Sequence, residues 1–292
     1  MLAKALECCG VSLGSNLMQP AADNPKGFFE DKQVYAINEN MLATLDYQWS
    51  LVGNTPSKLS DATADTLRER VRTYLKARLA SSENIKYIGI KDPRLCRLAN
   101  FWIEECKALS IPYKIIFISR NPAGVAQSLI RRNNIGESGA YALWSDYNLN
   151  AIRQSLNVPT LYIQIEDFIS SIRDHIAGIA DFLASPVNEV ELDTFESEFF
   201  EANLFNSPSK SKIPASKLFE ALEQLKSCHS LDESKKEELI AAAIYDQSRA
   251  SYRNGVLEQM NWHRKAENES LRDLIEQQAM LIAALKSELN EK

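Results

Sequence analysis

Leu2, Ala5, Leu6 and Cys9 recur at three- and four-residue spacing and Gly10 follows where a helix C-cap would stand, so the chain opens on a helix over 1–9. A loop rich in Gly, Asn and Pro covers 11–29, and helical spacing resumes over 30–45. Ser60-Asp61 suits the cap of a long amphipathic helix over 61–80, with Leu67, Val71, Tyr74, Leu75 and Leu79 on its apolar face. "IKYIGI" (85–90) reads as a short strand and 95–109 as a helix. "YKIIFIS" (113–119) is a near-continuous apolar run, the pattern of a strand covered on both faces. Helices over 122–132 and 137–156, the strand "TLYIQI" (160–165) and a helix over 168–184 follow. Beyond 186 the chain reads as helical or irregular, with helices over 216–228 and 232–254. Strands alternating with helices predict right-handed crossovers and a parallel sheet, so the expected class is α/β.

Residues 256–292 differ in kind. Leu271, Ile275, Gln278, Ile282, Leu285 and Leu289 follow a 4-3 spacing among Glu, Lys and Arg, which is a short coiled-coil seam with one polar position. Such a helix either packs back on the domain or associates with another chain, and self-association is the partner expectation. The expected organisation is an α/β core over 1–205, a helical part over 206–255 and a coiled-coil helix over 256–292.

Composition narrows the function classes. The 292 residues are 45% apolar and 25% charged, the balance of an ordinary globular protein. With 33 basic against 39 acidic side chains the net charge is −6, which argues against a general nucleic-acid or anionic-membrane binder and still allows a local basic pocket. Cys8, Cys9, Cys96, Cys106 and Cys228 are odd in number and form no C-x-x-C, so a reduced, cytoplasmic chain with buried thiols is expected. His175, His229 and His263 lack metal-ligand spacing, and no metal is expected. Lys4 and Glu7 interrupt "MLAKALECCGVSLG", which is no signal peptide. No stretch approaches the roughly 18 apolar residues of a membrane span.

Three segments could carry chemistry. In "IIFISRNPAGVAQSLIRR" (115–132), Arg120 stands at the carboxyl end of an apolar strand, where open parallel sheets bind ligands. Its guanidinium fork matches phosphate oxygens, Pro122 suits a helix entry, and the Ser128 hydroxyl further along that helix could share the anion. In "GIKDPRLC" (89–96), Lys91, Asp92 and Arg94 again follow a strand, so two strand ends deliver cations; the plainer reading is an Asp92–Arg94 pair in a charged loop. In "NPKGFFED" (24–31), Phe28 and Phe29 are buried or line a pocket. Glu30 and Asp31 open a helix, where the dipole favours carboxylates and where one of them could serve as a general base.

These three segments, in this order over about residues 1–185, resemble the sulfotransferase family that uses 3′-phosphoadenosine 5′-phosphosulfate, and most of all its bacterial branch. The resemblance implies a P-loop NTPase-like, three-layer parallel sheet with helices on both faces. It implies that Arg120 and Ser128 hold the cofactor's 3′-phosphate and that Lys91 lies near the transferred sulfuryl group. "QIEDF" (164–168) is similar to the family's Y-E-D-L segment, with Ile165 where tyrosine is usual. The expected reaction is sulfuryl transfer without a metal to a hydroxyl or amine, on a glycan or small-metabolite acceptor. Glu30 is the favoured base, then Asp31, then Asp92, while Phe28, Phe29, Asp92 and Arg94 are expected to meet the acceptor.

The family begins with a strand and a phosphate-binding turn ahead of its first helix, and here Met1 lies inside that helix, with no G-x-x-x-x-G-K-[ST] in the sequence. The expectation is a start codon assigned too late, and weak or absent cofactor binding if the chain is whole. Two alternatives stay open: a P-loop nucleotide kinase-like phosphotransferase, and a truncated, non-catalytic binding or scaffolding protein.

Overall fold

The computed structural model describes residues 1–21, 24–53, 61–81, 86–200, 216–225 and 229–290, with backbone alone at 61–63, 229, 250, 279 and 281–290. Twelve helices and five strands are assigned among these residues. In chain order they are α1 (Leu2–Ala5, continued as a tight 3-10 turn over Leu6–Cys9), β1 (Val11–Ser12), α2 (Lys32–Thr44), α3 (Asp61–Ala80), β2 (Tyr87–Ile88) and α4 (Leu95–Ala108). Then come β3 (Ile115–Ser119), α5 (Pro122–Asn133), α6 (Glu137–Gln154), β4 (Thr160–Gln164), α7 (Ile165–Ser170), α8 (Ile172–Leu183) and α9 (Glu189–Thr194). The last are α10 (Lys217–Gln224), β5 (His229–Leu231), α11 (Glu233–Gln247) and α12 (Ala250–Asn290).

The class is α/β, mostly helical, with small sheets. β1 pairs with β2 in parallel; β3 pairs with β4 in parallel from Ile115↔Thr160 to Ser119↔Gln164; β5 adds to β4 antiparallel. The single parallel sheet expected from the sequence is therefore two sheets among the described residues, one of them mixed. β5 falls next to the helix expected over 216–228, which instead ends at Gln224. Three residues with one apolar side chain carry no strand period, and the pairing with β4 makes the strand. The helix expected over 168–184 begins earlier, at Ile165, and breaks at Ser171 (φ −148°, ψ 64°).

Helices cover both faces of β4, but β3 is only partly covered: Ile118 is 41% exposed and Ile115 and Ile116 are half-buried, so the strand expected to be covered on both faces is open on one of them. Leu161 and Ile163 pack with α1 and with Ile172, Ile176 and Ile179 of α8. The alternate residue Tyr162, with Phe117, packs against Trp144, Leu149 and Ile152 of α6 and against α10 and α11. A separate cluster joins α2, α3 and α4: Leu67, Val71, Tyr74 and Leu75 are buried as expected, but Leu79 is 46% exposed, while Arg78 beside it turns inward to the Ser12 and Leu13 carbonyls. The expected capping residue Ser60 lies outside the described residues.

Buried polar groups tie the elements together. Lys236 of α11 is buried, and its ammonium donates to the Ser155 and Val158 carbonyls just past the end of α6 (both 2.8 Å) and to Glu233 (2.7 Å). Each carbonyl accepts one further bond, Ser155 from the Val158 N–H (3.1 Å) and Val158 from the Thr160 hydroxyl (2.8 Å). Lys236→Met keeps the stem and removes two buried charge-assisted hydrogen bonds, so a loss of about 2 kcal/mol is expected in urea unfolding. A change below about 0.5 kcal/mol would show that water replaces the ammonium.

The long helix α12 starts at Ala250, ahead of the expected boundary at 256, and its first half docks on the body. Gly255 crosses the start of α6 so closely that a Cβ there would collide with the Ser138 carbonyl. Glu258 accepts from the Gly139 N–H (2.8 Å) in the first turn of α6, a charge placed where the helix dipole favours it. Gln259 donates to the Ser50 carbonyl and Trp262 to the Asn133 carbonyl at the end of α5 (both 2.9 Å). No helix among the described residues is long and apolar enough to cross a membrane.

Candidate functional site

Two cationic strand ends are present, on separate sheets. The first follows β3. Asn121 caps α5 by accepting from the Ala123 N–H (2.9 Å), and Pro122 fills the first helical position. The Arg120 backbone is held by Trp144, whose indole donates to the Arg120 carbonyl (2.9 Å). Its guanidinium lies on Gly124: a Cβ there would stand 3.1 Å from the Arg120 Nε. Ser128 is half-buried one turn further on, and Gly124 and Ser128 share a helix face by their spacing. Glycine at 124 thus brings the guanidinium onto the face that carries the serine. Burial lowers the Arg120 pKa, and the Glu166 carboxylate works against that shift. Glu166 braces the same turn, accepting from the Asn121 N–H (3.0 Å). A guanidinium taken partly out of water and still charged is favoured by an anion that reaches it.

The second strand end follows β2. The Lys91 ammonium donates to the Glu30 carboxylate (2.5 Å) and to the Phe28 carbonyl (3.0 Å). Phe29 between them adopts φ 56°, the left-handed region that a bulky side chain rarely enters, and the resulting turn presents both acceptors to one ammonium. Glu30 is buried, whereas the Lys91 side chain keeps 40% of its surface exposed. Burial, and after it the Lys91 charge, push the Met1 amine down to about 6.

The remaining expected site residues are engaged in structure. Asp31 caps α2, accepting from Gln33 N–H (2.8 Å) and Val34 N–H (3.4 Å). Asp92 is buried, accepts from the Arg94 N–H (2.7 Å) and pairs with the Arg94 guanidinium (3.2 Å). Arg94 also bonds Glu39 and stacks on Tyr35 (4.5 Å), so it fastens α4 to α2. Phe29 meets Phe199 edge-on (5.6 Å), and Phe28 is half-buried beside the Lys91 contact. Asp31, Asp92 and Arg94 therefore satisfy the plainer, structural readings of their segments. Burial pushes the thiols of Cys8, Cys9, Cys96 and Cys106 up to about 11, so they stay protonated and are poor nucleophiles; Cys228 lies outside the described residues.

Sequence reasoning passed over Arg97, the most consequential buried cation. It is 2% exposed and donates to the Gln48 (3.2 Å), Trp49 (3.1 Å) and Leu51 (2.5 Å) carbonyls and to Asp146 on α6 (2.5 Å). It is sandwiched between Tyr47 (4.8 Å) and Tyr147 (4.3 Å). Gly124 was passed over too, though an isolated glycine inside a helical pattern is itself a signal of close approach. Among the described residues no group of three His, Cys, Asp or Glu side chains is placed to hold a metal ion. Compared with known proteins, the chain matches no family model, no curated protein and no solved structure.

Proposed function

We propose that this chain is the core of a sulfotransferase that takes a sulfuryl group from 3′-phosphoadenosine 5′-phosphosulfate and passes it to a hydroxyl or amine. The observation that carries this reading is the Arg120 guanidinium lying on Gly124 at the end of a parallel strand, on the helix face that bears Ser128. A fork of donors and a hydroxyl on one face suit the oxygens of a phosphate monoester. Lys91, half open to solvent and backed by Glu30, suits the sulfuryl end, where a cation offsets charge on the transferred oxygens and the leaving phosphate.

In the proposed reaction the acceptor oxygen or nitrogen attacks sulfur, and the bond from sulfur to the 5′-phosphate oxygen breaks. The electron pair leaves with 3′-phosphoadenosine 5′-phosphate, and the acceptor proton passes to Glu30. Asp31 and Asp92 come second and third in this scheme because each is bonded to backbone N–H groups of its own segment, whereas Glu30 stands beside the cation that would meet the sulfuryl group. Phe28 and Phe29 border the Lys91–Glu30 pair and are the apolar surface nearest to an acceptor there. The acceptor class, a glycan or small metabolite, rests on the family resemblance, and a reduced, cytoplasmic setting rests on the cysteine pattern.

The test is calorimetric titration with 3′-phosphoadenosine 5′-phosphate, against adenosine 5′-phosphate and against ATP with magnesium. Tighter binding of the 3′-phosphorylated nucleotide is expected. Equal affinity for adenosine 5′-phosphate would remove the role of Arg120 and Ser128, and preference for magnesium–ATP would turn the reading to a phosphotransferase. With an acceptor in hand, Glu30→Gln is expected to lower turnover by about 10²–10⁴-fold at nearly unchanged nucleotide affinity. Full turnover in that variant would remove Glu30 as the base.

The second reading is a non-catalytic binding or scaffolding subunit. It is favoured by α12, whose residues 267–278 are all exposed. Nucleotide affinity without turnover on any hydroxyl or amine acceptor would support it.

A further inference from the structure

We propose that the distal half of α12 is the interface of a parallel, two-stranded coiled coil with a second copy of this chain. The helix is continuous over Ala250–Asn290, and docking ends near Trp262: residues 267–278 are all exposed. Leu271 (56%), Leu274 (50%) and Ile275 (56%) lie bare on that stretch. An isolated helix in water draws little stability from propensity alone and needs its apolar face covered.

The seam is placed to receive a partner. At 3.6 residues per turn, Leu271 and Ile275 stand about 120° and 160° round the helix from Gln259, which docks on the body. The contact at Gln259 therefore lies on the far side of the helix from the seam, and only its start, at Leu271, borders a cleft with Gln48, Trp49 and Ser50. Leu271, Gln278 and Leu285 fall at one core position of the heptad and Ile275, Ile282 and Leu289 at the other. Isoleucine at the first core position with leucine at the fourth favours two parallel strands, and one polar core residue fixes register.

Charge complementarity selects a second copy, and selects its direction. Flanking the seam, Glu267 and Arg272 occupy the positions that meet between parallel chains, so each helix offers its partner an acid for a base. In an antiparallel pair centred near Gln278, Arg272 would face Lys286 of the other chain, and Glu267 would face Glu288, like against like on both flanks. This inference does not depend on the nucleotide reading.

Light scattering of the full chain after size exclusion, at tens of micromolar, is expected to give twice the 32.9 kDa chain mass. The variant carrying Ile275→Asp and Ile282→Asp is expected to give the single chain mass with the tryptophan fluorescence of the body unchanged. Leu271→Cys and Leu285→Cys, oxidised separately beside the parent chain as control for its own cysteines, are each expected to form a disulfide-linked dimer with itself. A monomeric parent, or a trimer or tetramer, would overturn the proposal. So would disulfides that form only when the two cysteine variants are mixed, the antiparallel result.

Discussion

Arg97→Leu is expected to destabilise the protein by about 3–5 kcal/mol, the largest effect of any single substitution considered. All four terminal N–H groups of this guanidinium are used, on three carbonyls of the 48–51 segment and on Asp146. Removing it leaves a buried carboxylate, 2% exposed, without its cation, and takes one of two donors from each carbonyl, which keep the Leu51 N–H at Gln48, the Tyr147 hydroxyl at Trp49 and the Tyr47 hydroxyl at Leu51. The loss spreads, because the same segment accepts from Tyr147 (2.8 Å, at Trp49) and from Gln259 of α12 (2.9 Å, at Ser50), while Gly53 donates to Asp146 (3.1 Å). Burial pushes the Asp146 carboxyl up while the guanidinium pulls it down, so without Arg97 burial is opposed only by the Gly53 N–H and the Arg153 charge, and the acid takes up a proton more readily. The variant should accordingly recover part of its lost stability as pH falls, relative to the parent. Urea unfolding of Arg97→Leu, Asp146→Leu and the double variant at two pH values measures this. The double variant is expected to lose less than the two single losses added together, since it leaves no charge unpaired. A loss under about 1 kcal/mol for Arg97→Leu would mean that water satisfies the segment and that the pair is not what holds it.

Arg120→Gln is expected to weaken binding of 3′-phosphoadenosine 5′-phosphate by about 100-fold, or roughly 2.7 kcal/mol, within the range of charge-assisted hydrogen bonds to phosphate. Affinity for adenosine 5′-phosphate should change by less than about threefold, because the lost contact is to the 3′-phosphate alone. Gly124→Ala is the companion variant. Its methyl would stand 3.1 Å from the Arg120 Nε and push the guanidinium off the Ser128 face, at little cost to helix formation. It should lower affinity for the 3′-phosphorylated nucleotide while leaving the charge count unchanged. If both variants bind the two nucleotides as the parent does, the phosphate site lies elsewhere. Titration calorimetry at one fixed salt concentration separates the outcomes, since added salt screens phosphate contacts.

Much of the secondary structure was legible as periodicity. The apolar run over 113–119 becomes β3, "TLYIQI" becomes β4, and the helices α2 to α6 lie within a few residues of their expected spans. Boundaries slipped where local signals were weak, as at Ser171, where one expected helix is two. The candidate site was legible in part. The pairing of Asp92 with Arg94 was foreseeable from two residues' separation, and so was the Asn-Pro start of α5. The joining of Lys91 to Glu30 was not, because 61 residues separate them and only the folding of the loop before α2 brings them together.

Sequence by itself determined the α/β class, the two cationic strand ends at Lys91 and Arg120, and the heptad seam from Leu271. Each rests on neighbours within one element, where period and backbone direction decide which side chains share a face. Tertiary structure decided where each charge is placed. Arg94 goes to Glu39 and Tyr35, Asp31 to the cap of α2 and Arg97 to Asp146, while Lys91 keeps much of its surface and Arg120 settles on Gly124. It also divided the strands between two sheets and drew β5 onto β4. The reason is the same in each case: a buried charge or a strand edge is satisfied by whatever group the packing delivers, and that group can lie anywhere in the chain.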